Sequence, residues 1–379
     1  MYRKTYVEIN CNDLENNIRE IKKEYNEYKY YIGVVKANCY GHGIESIKYL
    51  IEGGINYLAT SSLEEALKVR EMYKDIPILV LEPIHYDDIL VASRNDIRVT
   101  IDDVKQFNEL LKNKVKIKFH LKINSGMNRF GLKDENDVKY IFDNSNDKTF
   151  LEGVFTHLSS GNGNIYDGEK RNFEKLTSLI DINKIPIVHM DRSLTLEQHN
   201  KENYCNGVRL GIVMYGFKKE HPSISLKRKI FNKLFLVKDN FIPSKLNIKP
   251  VLKFYTEVIE IKDVLKGEIV GYSGMYSATE KVRIALLPYG FADYLFINPS
   301  YVSINGKQYR IITNYMDITT IIIDDSVKIG DKVEIFGDNI SIKKASNYAK
   351  ENVYKTICSI TNRVPRVYTF DGKKKEVMY

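Results

Sequence analysis

YYIGVVKANCYGHG, residues 30–43, sets an apolar run against a lysine. Tyr31, Ile32, Val34 and Val35 give the short continuous apolar segment expected of an inner parallel strand covered on both faces. Lys36 stands where that strand should end. A buried ammonium is costly unless it is paired, deprotonated or used covalently, so packing alone gives no reason for it. The same unit of strand, polar turn and amphipathic helical stretch recurs through residues 1–216. Strand-like runs are YYIGVVKAN, YLATSS, IPILVLEP, IRVTID, VKIKFHLKIN, LEGVFTHLSS, IPIVHMD and VRLGIVMYG. Between them lie LEEALKVREMY, DVKQFNELLKN, DENDVKYIFDN and EKRNFEKLTSLI, with helical period. These alternations predict an α/β fold, a (β/α)8 TIM-type barrel rather than an open sheet. From about residue 250 the pattern changes to KFYTEVIEI, KVRIALLPY, YRIITN, DKVEIFG and RVPRVYTF with Gly and Asn turns, which predicts a C-terminal mainly β domain. The expected division is 1–240 and 241–379, the boundary falling within 218–250, with roughly the first ten residues open to pairing with the β domain.

Composition narrows the function classes. With 379 residues and 43% apolar content, the chain can fill sizeable cores and is neither disordered nor fibrous. Its net charge of +8 comes from 57 basic and 49 acidic residues that interleave almost everywhere. KLNIKPVLK and DGKKKE therefore read as solvated surface, and no nucleic-acid partner is expected. No apolar run approaches the roughly 20 residues that span a bilayer, so no membrane partner is expected either. MYRKTYVEIN lacks an apolar signal core, and Cys11, Cys39, Cys205 and Cys358 form no C-x-x-C pair; both features suggest a reducing cytoplasm. The histidines show no metal-ligand spacing, and no metal is expected.

Barrels of this class carry their active sites at the C-terminal ends of the strands. Lys36 closes the first predicted strand, Lys122 and then Arg129 follow the fifth, His157 closes the sixth, His189 and Ser193 flank the end of the seventh, and Arg209 lies on the eighth. Singly, each has a plain structural role: an ion-paired lysine, a satisfied core histidine, an arginine whose stem is buried and whose head is solvated. Their coincidence at one mouth favours function. A lysine among cations, a serine and tyrosines suits a Schiff base to pyridoxal phosphate, whose aldehyde consumes the amine and whose phosphate needs donors.

GVVKANCYGHG resembles the pyridoxal-phosphate signature of bacterial alanine racemases, the fold type III enzymes. The resemblance runs on, in the family's order, through LATSSLEEALKVRE, LKINSGMNRFGL, GVFTHLSS, VRLGIVMYG, VGYSGMYSA, RIALLPYGFAD, MDITT and YKTICSITNRVPRVY. It implies that Lys36 carries the cofactor and acts as one of two bases, and that Tyr272 is the second, reaching the substrate from the partner subunit of a homodimer. It also implies that Tyr40, Ser193, Gly211, Ile212 and Tyr354 hold the phosphate, that Arg209 faces the pyridine nitrogen, and that His157 contacts the ring or its hydrogen-bond network. Arg129 would contact the phenolic oxygen and the substrate carboxylate, Met316 would offer its backbone amide to that carboxylate from the partner chain, and Lys122 matches the lysine often carbamylated in this family. The implied activity is interconversion of L- and D-alanine for peptidoglycan.

Some positions depart from the family pattern. Phe291 stands where a tyrosine is usual, HMDRS (189–193) replaces a smaller and more neutral stretch, and ILVLEP lacks a common glycine. Tyr354 is retained where relatives favouring serine carry a smaller residue, which favours a small substrate side chain. The alternative is a racemase of serine, lysine or a broad range of amino acids. A barrel-type decarboxylase fits less well, because YGHG follows KAN and both bases are present, and a non-catalytic regulator would lack one of them.

Overall fold

The computed structural model describes residues 2–218, 242–294 and 300–378. Residues 219–241, within which most of the expected boundary region falls, lie outside the described residues. Two compact units form. One comprises Leu14–Lys36 and Ile47–Lys249; the other comprises the residues up to Asp13, Ala37–Ser46, and the chain from Pro250 onward. One of the four crossings between the units falls directly after Lys36.

Strand β1 (Tyr6–Asn10) belongs to the second unit. The first unit is a closed parallel barrel of β2 (Tyr30–Val34), β3 (Tyr57–Thr60), β4 (Ile78–Pro83), β5 (Ile97–Ile101), β6 (Ile117–Lys122), β7 (Thr149–Phe155), β8 (Ile187–Arg192) and β9 (Gly207–Leu210). Closure is made by β9 on β2, where Ile32 pairs with Arg209. The predicted (β/α)8 barrel followed by a β domain is the observed architecture. Ile32, Leu58, Leu79, Val99, Phe119, Leu121 and Val154 are fully buried, as expected of strands covered on both faces. Short polar side chains start the crossover helices: Ser62 accepts from Glu65 N, Asp103 from Lys105 N and Gln106 N, and Asp134 from Asn136 N and Asp137 N. The helix expected over EKRNFEKLTSLI begins earlier and stops sooner, at Gly163–Leu176, where the Thr177 hydroxyl takes the carbonyl of Phe173 at 2.8 Å.

The second unit contains a sheet ordered β11-β14-β17-β16-β15-β18-β10-β1-β19-β20, in which β10 is Leu252–Glu257, β11 Glu260–Val264, β14 Val282–Leu287, β15 Tyr301–Ile304, β16 Lys307–Asn314, β17 Thr319–Ile323, β18 Lys332–Phe336, β19 Arg366–Phe370 and β20 Lys373–Met378. A separate ribbon pairs β12 (Ile269–Val270) with β13 (Tyr276–Ser277). Strand β1 lies between β10 and β19, Val7 opposite both Phe254 and Arg366. KFYTEVIEI, read as one strand, is two. Its backbone changes partners at Val258, β10 pairing with β18 and β11 with β14.

Candidate active site

Lys36 follows β2 and is half-buried. Lys122 ends β6 and is 5% exposed, its Nζ donating to Ile123 O at 3.2 Å and lying 4.8 Å from the centre of the Phe155 ring. Burial, followed by the charges of Arg209 and Arg129, holds the Lys122 ammonium well below its ordinary range, against the weaker pull of Asp102 and Glu169. Lys122, Arg129, Thr156 and His157 line one cleft. His157 is kept neutral by burial and by Arg209, Arg192, Lys122 and Arg129. Ser193 follows β8 and accepts the Gly211 N–H at 2.7 Å, Ile212 coming next in the chain. Arg209 is not a solvated head on a buried stem: its guanidinium is enclosed, with Nη2 donating to Thr156 O at 2.7 Å and Met190 O at 2.9 Å. His189 also lies inside the barrel rather than at its mouth, fully buried and stacked on Phe155 with ring centres 4.7 Å apart.

The remaining predicted residues lie in the β unit. Ala37, Asn38, Cys39 and Tyr40 all have positive φ, between 51° and 54°, closing a left-handed turn in which Gly41 N donates to Ala37 O at 2.9 Å. Left-handed backbone costs non-glycine residues roughly 1–2 kcal/mol each, so this conformation must be held from outside. Arg366 holds it. Its Nε and Nη2 donate to Gly41 O at 3.2 and 3.1 Å, while Tyr368 Oη donates to His42 O at 2.8 Å. GHG needs its glycines here: a Cβ on Gly41, at φ +80°, would lie 2.3 Å from Ile357 O, and one on Gly43 would lie 2.1 Å from Tyr368 Oη. The turn sets the Tyr40 ring 6.0 Å from that of Tyr354, which lies in helix Val353–Cys358. Tyr272 opens a tight turn between β12 and β13, is 77% exposed, and meets Tyr315 edge-on at 5.5 Å. The backbone of Tyr315 and Met316 accepts from Phe291 N and Ala292 N at 2.9 and 3.1 Å, gathering Tyr272, Met316 and Phe291 around one exposed region.

Two family models match this chain, "Alanine racemase, N-terminal domain" over residues 9–219 and "Alanine racemase, C-terminal domain" over residues 251–368. The chain belongs to the alanine racemase family. An alanine racemase of Staphylococcus saprophyticus is 30% identical over 384 residues, covering 97% of this chain and 95% of that protein. The solved alanine racemase of Clostridium difficile 630 superposes with a TM-score of 0.87 at 27% identity, over 100% of this chain and 99% of that one. That of Bacillus anthracis, solved with bound L-Ala-P, gives 0.85 at 30% identity, over 100% and 98%.

Sequence reading gave no role to Arg366 and Tyr368, although RVPRVY was among the family motifs. It also passed over His120, whose signal was present: in a strand, His120 and Lys122 share a face. In this member of the family, the unusual HMDRS stretch supplies Asp191, one half of a largely buried ion pair with His199. His199 Nε2 lies 2.8 Å from Asp191 Oδ1 and its Nδ1 lies 2.8 Å from Asn200 O. Asp191 and the Asn200 carbonyl are acceptors only, and the Tyr166 hydroxyl, 3.0 Å from Nδ1, turns its own proton to Glu202 at 2.9 Å, so both ring nitrogens are set to donate. Tyr28 and Thr195 also donate to Asp191, while Tyr166 bridges His199 to Glu202, which pairs with Lys170. The pair thus ties the segment between β8 and β9, which carries Ser193, back to β8. Burial alone would lower the His199 value, but the hydrogen bond and charge of Asp191 raise it above 6.5. Burial alone would raise that of Asp191, but His199 and its other donors lower it below 3.8.

The pair's stabilisation is therefore present between those limits. It is lost as pH rises through the raised His199 value and as pH falls through the lowered Asp191 value. Urea midpoints measured against pH should fall on the alkaline side in the unaltered protein. His199→Gln should remove that part of the slope, and parallel profiles for the two proteins would refute the assignment.

Proposed function

We propose that this chain interconverts L-alanine and D-alanine with pyridoxal phosphate carried on Lys36, supplying D-alanine for peptidoglycan. The observation that supports this most is a strand-end lysine on a cation-rich barrel rim, in a chain matched to the alanine racemase family across both its domains. A phosphorylated aldehyde suits the residues present. Burial first, and then the charges of Arg209 and Arg129, depress Lys122; burial and the same arginines, with Arg192, depress His157, so cationic groups crowd a place that an anion would relieve. We assign the phosphate to Ser193, Gly211 and Ile212, together with Tyr40 and Tyr354, and the pyridine nitrogen to Arg209. When bound, the cofactor supplies the electron sink that makes a Cα proton removable.

Inversion at Cα needs a proton to leave one face and another to arrive at the opposite face. Lys36 Nζ serves one face and Tyr272 Oη of a second subunit serves the other. Arg129 suits bidentate binding of the substrate carboxylate, with the amide of Met316 from the second subunit as a further donor. Arg209, a permanent donor, keeps the pyridine nitrogen unprotonated, which limits transamination. Lys122, as a neutral amine, can add carbon dioxide with loss of a proton to solvent, forming a carbamate that holds Arg129. Exposed Ile269, Tyr272, Met275, Phe291 and Met316 form an apolar surface that suits a second copy of the chain in a homodimer. No helix among the described residues is long and apolar enough to cross a membrane. With the cysteine pattern of the sequence, we place the enzyme in the cytoplasm.

Three measurements test the reading. Borohydride reduction and peptide mapping should find the cofactor on Lys36, and an adduct on another lysine would refute the assignment. Chiral separation of the products from L-alanine, L-serine and L-lysine should give the highest kcat/KM with alanine; a larger value with either other substrate would make this a racemase of that amino acid. Lys36→Ala should lower kcat by roughly 10²- to 10⁴-fold or more, the range for losing a positioned acid/base group.

A further inference from the structure

A polar chain runs through the barrel interior, where branched aliphatic side chains are the rule. Arg209 Nη1 donates to His189 Nδ1 at 2.7 Å. His189 Nε2 lies 2.9 Å from His120 Nδ1. His120 Nε2 lies 3.4 Å from Glu152 Oε2 and 3.2 Å from Tyr57 Oη. Tyr57 donates to the same Glu152 oxygen at 2.8 Å, and Arg98 Nε does so at 3.2 Å. Both imidazoles are fully buried, and Gly153 leaves room for one of them: a Cβ there would sit 2.5 Å from His120 Nδ1.

The ends of this chain fix its direction. A guanidinium offers only donors and a carboxylate only acceptors. His189 Nδ1 is therefore unprotonated, its proton on Nε2 points at His120 Nδ1, and the His120 proton on Nε2 points towards Glu152. Burial, with Arg209 next in effect on His189, favours the same neutral rings. Reversing the direction would bring an N–H of His189 against an N–H of Arg209. Hydrogen bonds in such a chain polarise one another, so a carboxylate at the far end makes His189 Nδ1 a better acceptor. Packing does not call for this arrangement, since well-packed apolar side chains of similar volume are often as stable as buried ions.

We propose that Glu152 is a positioning residue for Arg209, acting through His120 and His189. The proposal rests on the assignment of Arg209 to the pyridine nitrogen. Glu152 would then govern how firmly that nitrogen is kept unprotonated, and with it how rarely the amino group of alanine would be left on the cofactor as pyridoxamine phosphate, with release of one pyruvate.

The test breaks the chain at two links and repairs each conservatively. Glu152→Met removes the terminal acceptor and Glu152→Gln restores an acceptor oxygen. His120→Phe leaves Glu152 with Arg98 and Tyr57, and His120→Gln keeps one acceptor and one donor in line. Each holoenzyme is labelled with ¹⁵N-histidine and its ring nitrogens are read by NMR; pyruvate formed per D-alanine is measured in parallel. In the unaltered protein, His189 Nδ1 should be unprotonated across the pH range of stability. Glu152→Met and His120→Phe should shift or broaden that signal and raise the pyruvate ratio about tenfold, the factor that corresponds to one pKa unit, while both glutamine variants stay near the unaltered values. If Glu152→Met does not fold, His120→Phe reads the same link. Folded breaking variants with an unchanged His189 signal and pyruvate ratio would overturn the proposal. A protein with the expected His189 signal that neither binds pyridoxal phosphate nor racemises an amino acid would instead refute the reading on which the proposal rests.

Discussion

Co-expression of Lys36→Ala and Tyr272→Phe subunits, each inactive alone, is expected to restore about a quarter of the unaltered activity through mixed dimers. Tyr272 stands 77% exposed in a tight turn of the β unit, with exposed Met275 and Ile269 nearby in sequence. A tyrosine so placed can act on a substrate only when a second surface covers it. If it serves the partner's Lys36, a mixed dimer contains one site with both bases and one with neither. Random pairing makes half the dimers mixed, and half the sites in those are intact. If Tyr272 serves its own chain, every site lacks one base and mixing restores nothing. Tyr272→Phe must first be shown to bind cofactor and to be inactive. Verified mixed dimers without activity would exclude the shared site.

Much of the barrel was legible because its signals are local. Val34–Val35, ILVLEP and IRVTI are short apolar runs bounded by polar turns, and such runs have few uses other than inner parallel strands. Lys36 and Lys122 stood out because lysine is unusual at the end of an apolar run, and the structure places one directly after a barrel strand's end and the other as the last residue of β6. Roles that depend on distant partners were not legible. Nothing local announces that Ala37, Asn38, Cys39 and Tyr40 take left-handed backbone, because none is a glycine and the groups that hold them lie more than 300 residues away. Likewise, Glu152 reads as a strand-face carboxylate until the fold brings His120, Tyr57 and Arg98 to one of its oxygens. The break in KFYTEVIEI was hidden for the same reason: Val258 changes neighbours, and periodicity records no neighbours.

Arg366→Met should be the most damaging substitution outside the residues assigned to chemistry. Its side chain is 5% exposed and spends its donors on four carbonyls: Gly41 O, Thr361 O at 2.8 Å, Val364 O at 2.7 Å and Ile360 O at 3.0 Å. Methionine fills much of the volume but supplies no donor. Buried acceptors left unpaired cost about 1–3 kcal/mol each, so a loss of about 3 kcal/mol or more is expected in urea unfolding. The defect should also have a local sign. Gly41 O caps the left-handed turn that follows Lys36, and that turn has no intrinsic preference for its conformation. Freed of Arg366, it should relax towards ordinary backbone and release pyridoxal phosphate on dialysis under conditions where the unaltered protein retains it. Arg283→Met serves as the control: Arg283 pairs with Asp325 at 2.9 Å, but Asp325 is 97% exposed, so stability should change by no more than about 0.5 kcal/mol and cofactor retention not at all. Arg366→Met with unchanged cofactor retention would show that the turn holds its shape without the clamp, and equal unfolding midpoints for the two variants would show that the four carbonyls find other partners.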